Sequence, residues 1–166
     1  MKKLIIGMLV IGFTSQMFSQ VIQLPDVEIK VVNYKYLNAV DSEDVDLEIK
    51  RLEKEVAYFD YVNSDFYMDD WVSFYIPKGK ILASYDENGE IVTTTEKFKN
   101  IKLPAIVRTA IFERFPGWVL SKNVYRVTYN RNKNKKEYKV VLQNGNKSVR
   151  VRTDEKGNFV GESHLK

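Results

Sequence analysis

Residues 66–95 read FYMDDWVSFYIPKGKILASYDENGEIVTTT, and the alternation in this stretch decides the fold. Phe66, Met68, Val72, Phe74 and Ile76 fall on one side of an extended chain, with Tyr67, Asp69, Trp71, Ser73 and Tyr75 on the other. A period of two marks a strand, because successive side chains point to opposite faces of a sheet. Pro77, Lys78 and Gly79 then make a turn, and Ile81, Ala83 and Tyr85 start a second strand. Asp86, Glu87, Asn88 and Gly89 form the next turn, where Asn-Gly supplies the positive φ angles of a tight hairpin. Residues 91–95 complete a three-stranded meander.

On the N-terminal side the period changes. Val45, Ile49, Leu52, Val56 and Phe59 are spaced by three and four, one stripe of a helix, with Glu48, Lys50, Arg51 and Lys54 on the opposite face. Asp41 is the expected cap of this helix, and Glu43 and Asp44 suit the positive end of its dipole. Earlier still, Val27, Ile29 and Val31 alternate with Glu28 and Lys30 and read as a strand.

On the C-terminal side a second helix is expected from Pro104, carrying Leu103, Val107, Ala110 and Ile111 inward and ending at Phe115, Pro116 and Gly117. Strands are expected at 118–129, 137–143, 147–153 and 158–161, with turns at Asn144-Gly145 and at residues 154–157. Tyr125, Val127, Tyr129, Tyr138, Val140, Leu142, Val149 and Val151 form an inward set, leaving Arg126, Lys139, Arg150 and Arg152 outward. Arg131, Lys133, Lys135 and Lys136, interleaved with Asn130, Asn132 and Asn134, read as the solvated tip of a long hairpin.

Residues 85–92, YDENGEIV, and 153–160, TDEKGNFV, are alike, and each closes a meander that follows a helix. The expected fold is therefore α+β: two helix-then-antiparallel-meander units, at 27–96 and 97–163, with the helices packed on one side of an antiparallel sheet. The residues ILASYDENG at 81–89, Leu103 and Pro104 opening a helix, and Phe115, Pro116, Gly117 and Trp118 ending it resemble the PepSY-like, beta-lactamase-inhibitor-like proteins exported by Bacteroidetes. The strand at 138–142 and the turns at 144–145 and 154–157 are similar to the same pattern, which spans about residues 27–160. The resemblance implies an α+β domain that binds or inhibits other envelope proteins, and it brings no catalytic motif.

The first 20 residues have the order of a secretory signal peptide: Lys2 and Lys3, an apolar run at 4–13, and a polar exit ending near Ser19 and Gln20. That run is about half a membrane span, and a lipoprotein anchor would need a cysteine that the chain lacks. The remainder, residues 21–166, is expected to be one domain located in the periplasm or outside the cell, without a membrane span. With 44% hydrophobic, 13% aromatic and 29% charged residues, the chain has the composition of a globular domain rather than a disordered one. Removing Lys2 and Lys3 leaves 24 basic against 22 acidic residues, so the net charge falls from +4 to +2, too balanced to point to nucleic acid.

Little catalytic chemistry is available. His164 is the single histidine, placed in an expected fraying tail, and cysteine is absent, so a triad, a thiol nucleophile and a zinc site all lack their groups. No phosphate-binding glycine motif occurs, and no cofactor or metal is expected. Asp60, Asp65, Asp69 and Asp70 cluster before the aromatic strand and leave open a small carboxylate-dependent hydrolase; solvated loop acids are the plainer reading. Asp86, Asn88 and Glu90 imitate a calcium loop, but Gly89 falls at the wrong position.

The candidate binding residues are Tyr67, Trp71 and Tyr75, an aromatic stripe opposite an apolar set, together with the outward cations Arg126, Lys139, Arg150 and Arg152. Either the stripe is uncovered and recognises a partner, or another segment packs over it; either the cations meet an acidic partner, or they solvate the sheet. The expected function is an exported noncatalytic binding module that docks or inhibits an envelope or secreted protein. A hydrolase and a purely structural envelope protein are the alternatives.

Overall fold

The computed structural model describes residues 32–42, 44–66, 71–131, 133–161 and 164–165. The expected signal segment, the strand at 27–31, and Glu43, Tyr67, Met68, Asp69 and Asp70 lie outside the described residues. Helices α1 (Tyr34–Val40) and α2 (Leu47–Ala57) precede strands β1 (Trp71–Ile76), β2 (Gly79–Tyr85) and β3 (Ile91–Lys99). Helix α3 (Ala105–Arg114) follows, then β4 (Val119–Asn130), β5 (Lys133–Asn144), β6 (Lys147–Asp154) and β7 (His164–Leu165). The strands form a single antiparallel sheet in chain order. The fold is α+β, with two helix-then-meander units.

Cross-strand register fixes the two faces. Phe98, Tyr125, Tyr138 and Thr153 lie side by side across four strands, and all four are buried. Val72 with Ala83, Phe74 with Ile81, and Val140 with Val151 continue the same buried face. The alternate residues Trp71, Ser73, Tyr75, Lys97, Arg126, Arg150 and Arg152 are exposed. One face is sealed and the other open, so the helices share the sealed side. Each fully buried aliphatic or aromatic side chain there contributes about 1.5–3 kcal/mol of transfer free energy. The aromatic content is used in this core: Tyr125 stacks on Tyr138 at 4.8 Å, and Tyr61 on Tyr85 at 5.0 Å.

Helix α2 buries Ile49, Leu52 and Val56, the expected stripe, with Val45 buried just ahead of it and Phe59 packed behind. Its start differs from the expectation. Asp41 ends α1 instead of capping α2, and Asp46 occupies the N-cap position without a side-chain capping bond. The Asp46 carboxylate is instead taken by Lys78 at 2.8 Å, which ties the β1–β2 turn to the helix start. Phe66 is exposed and outside any strand, so β1 begins at Trp71 rather than at residue 66.

The hairpin tip is not simply solvated. Asn134 Nδ2 donates to the Ala39 carbonyl at 2.9 Å and Lys136 Nζ to the Asp41 carbonyl at 2.8 Å. These are carbonyls at the C-terminal end of α1, which lack helical partners. The pleat turns Lys136 to the sealed side, opposite Val127, where its side chain is only 7% exposed. Arg131, at the turn, pairs with Asp86. Residues 158–161 form only a bridge, Thr153 to Phe159, and the last strand is His164–Leu165 on β6, so the backbone at His164 is paired rather than frayed.

Candidate binding face

The open face is built row by row. Tyr75, Lys80, Lys97, Arg126 and Glu137 stand opposite one another from β1 to β5. The next row runs Lys99, Val124, Lys139, Arg152, and the one beyond it Lys122, Val141, Arg150. Every strand from β2 to β6 thus places a cation on this face. Among the described strand residues the acids on it are Glu137 and Asp154.

Trp71 is 51% exposed and Tyr75 66% exposed, both on the edge strand β1. Lys80 Nζ lies 5.9 Å from the Tyr75 ring centre, within cation–π range. Arg126, Arg150 and Arg152 are exposed and Lys139 is half-buried. All of these expected site residues except Tyr67, which is not described, share the face, but in two groups. At ~4.8 Å per strand, β1 stands roughly 14 Å from β4 and roughly 24 Å from β6. Lys80, Lys97 and Lys99 bridge the gap and were missed by the sequence reading. Their signal was present: each neighbours an inward Ile81 or Phe98 in an alternating run.

Glu137 organises the basic half. Lys135 lies 3.1 Å from it, Lys139 3.6 Å and Arg152 3.9 Å. Burial raises its carboxyl pKa, but these cations outweigh burial and hold it below the ordinary range. Arg152 is also braced by Gly161, where an added Cβ would come within 2.2 Å of the guanidinium.

Of the carboxylates suggested for catalysis, Asp69 and Asp70 lie outside the described residues. Asp60 accepts hydrogen bonds from the Asn63 backbone and amide, and Asp65 is exposed. A different acid pair is enclosed on the sealed side: Glu53 of α2 is 3% exposed and Glu96 of β3 is 0% exposed. Tyr36 O–H donates to Glu96 Oε1 at 2.9 Å, and Thr94 Oγ1 lies 3.4 Å from the same oxygen. Burial first, then the charge of Glu96, pushes the Glu53 carboxyl far up, and burial raises Glu96 despite the Tyr36 and Thr94 bonds. Glu53 Oε1 and Glu96 Oε2 are buried without a hydrogen-bond partner. A proton kept by one carboxyl relieves the repulsion of two buried charges. Glu96 has no exposed surface, and Glu53, 3% exposed, borders a hollow of about 320 Å³ with Leu37, Asp41 and Lys50.

Two buried asparagines, also missed by the sequence reading, hold the frame. Asn33 accepts from Ile91 N at 2.6 Å and donates to the Gly89 carbonyl at 3.1 Å. Asn123 accepts from Ile101 N at 3.0 Å and donates to the Ile101 carbonyl at 2.9 Å. Among the described residues there is no group of three or more His, Cys, Asp or Glu side chains able to hold a metal ion, and no helix long and apolar enough to cross a membrane.

No protein-family model and no curated protein matches the chain, so the PepSY-like resemblance has no family model behind it. A crystal structure of a BLIP-like protein from Bacteroides fragilis is similar to it at 20% identity and a TM-score of 0.32, over 58% of this chain and 72% of that one. The likeness is loose, and the fold assignment stands on the helices and the seven-stranded sheet themselves.

Proposed function

We propose that the chain is an exported, noncatalytic binding module that docks an envelope or secreted protein on its open sheet face. The observation that carries this reading is the exposure of Trp71 and Tyr75 on the open face, with Tyr75 at the head of the row Lys80, Lys97 and Arg126. Tyr34, Tyr58 and Phe66 are exposed as well, but Trp71 and Tyr75 share one strand of the open sheet face, and large rings left together in water are a cost unless a partner covers them. Tyr and Trp bury much area for little lost conformational freedom, and the cations steer an acidic surface toward them. The export part of the reading is supported by residues 1–20, which have the order of a signal peptide.

The test is affinity capture from envelope extract with residues 21–166, alongside the Trp71→Ala/Tyr75→Ala variant. The wild-type domain should retain a protein that the variant loses, while their unfolding midpoints agree to within about 1 kcal/mol, as expected for exposed positions. Equal capture by both would overturn the assignment.

A further inference from the structure

The half of the face far from Trp71 has its own concavity. A groove of about 430 Å³ lies over β4, β5 and β6, floored by Val124 and Val141 and bounded by Lys122, Lys139, Arg150 and Arg152. The register explains its pattern. Val124 sits beside Lys139 and Arg152 in one row, and Val141 between Lys122 and Arg150 in the next, so two diagonal valines are framed by four cations. The irregularity between Leu120 and Lys122 is a bulge of the kind that bends a strand and sharpens its twist at such a place. Glu137 draws on Lys139 and Arg152, but among the described residues Lys122 and Arg150 have no carboxylate within ion-pair distance.

We infer that this groove receives an acidic segment of the partner protein, presenting one apolar side chain to the valine floor between flanking carboxylates. The inference rests on the docking reading and names the chemistry of that contact. Charge complementarity selects the occupant's sign, because every charged residue lining the groove is a cation. The floor selects its kind. Aliphatic valines bury an aliphatic side chain but offer no ring on which nucleic-acid bases could stack, and a sulfated glycan brings nothing apolar to fill the space. Arginine at two of the four corners suits bidentate pairing with carboxylates.

The experiment uses purified residues 21–166 and a fluorescent, end-blocked pentapeptide Glu-Glu-Leu-Glu-Glu, with the Leu-to-Ser peptide and heparin as competitors. The leucine peptide should bind saturably and at least about tenfold more tightly than the serine peptide, the loss expected from leaving the floor unfilled. Lys122→Gln/Arg150→Gln should weaken it about tenfold without shifting the unfolding midpoint, and Trp71→Ala/Tyr75→Ala should leave it unchanged. Equal affinity for both peptides, heparin binding that displaces the leucine peptide with higher affinity, or indifference to the Lys122/Arg150 change would overturn the inference. If the peptides fail while capture still depends on Trp71 and Tyr75, the groove assignment falls and the docking reading stands. If the groove variant loses peptide while capture ignores Trp71 and Tyr75, the reverse holds.

Discussion

The Glu53 and Glu96 side chains show how a residue's chemistry is set by where its element puts it. Glu53 falls on the buried side of α2, and Glu96 sits between inward Thr94 and Phe98 on β3, where alternation alone would call for an apolar residue. Their raised pKa values set a direction for stability. The folded chain keeps a proton at neutral pH that the unfolded chain, with carboxyls near 4.5, has released. Stability contributed by that proton is complete below 4.5 and is lost as pH rises from there to about 9, where Glu53 has been pushed. Asp86 and Glu137 act in the opposite sense: cations and hydrogen bonds lower their pKa values, so their contribution disappears as pH falls through those lowered values. Urea midpoints measured at about pH 5 and pH 9 should therefore fall toward the alkaline end, and Glu53→Gln should remove most of that slope, worth on the order of a few kcal/mol. A wild-type midpoint that rises over the range would contradict the assignment.

At the scale of elements, legibility followed length and period. Helices α2 and α3 and strands β1 to β6 were readable because each carries several turns or pairs of a regular pattern. Helix α1 was not, since its seven residues bury only Tyr36 and Val40, one i,i+4 pair that no periodicity test can separate from chance. The end of the sheet was misplaced because residues 158–161 make only one bridge to β6, Thr153 to Phe159, after the expected turn at 154–157, which packs on α3. Gly157, at φ +81°, brings that turn so close that a Cβ would lie 3.0 Å from the Ala110 side chain. Gly79 is a sterically stricter case, where an added Cβ would stand 2.0 Å from the Lys97 carbonyl oxygen and 2.8 Å from the Phe98 Cα. Gly79→Ala should cost about 1–3 kcal/mol or more, because backbone must move. Gly145→Ala, at φ +57° but with nothing within 4 Å, should cost about 1 kcal/mol. Equal losses in urea unfolding would show that the β2–β3 approach is looser than described.

For the whole molecule, the decisive property is the separation of charge, which composition conceals. A net charge of +4 over 166 residues reads as nearly neutral, yet the alternating register collects cations on one face and leaves most acids in α2, the loops and the turns. The sequence reading found the basic residues of β4 to β6 and the rings of β1, but not that Lys80, Lys97 and Lys99 join them, because strand order had first to place β2 and β3 between. A rigid sheet with one sealed and one open face offers a single extended surface for recognition. Amide chemical-shift mapping of isotope-labelled residues 21–166 against the captured partner tests this most directly. The account predicts shifts confined to outward positions of β1 to β6, around Trp71, Tyr75, Arg126 and Arg150; shifts confined to α1, α2 and α3, with those strands unchanged, would contradict it.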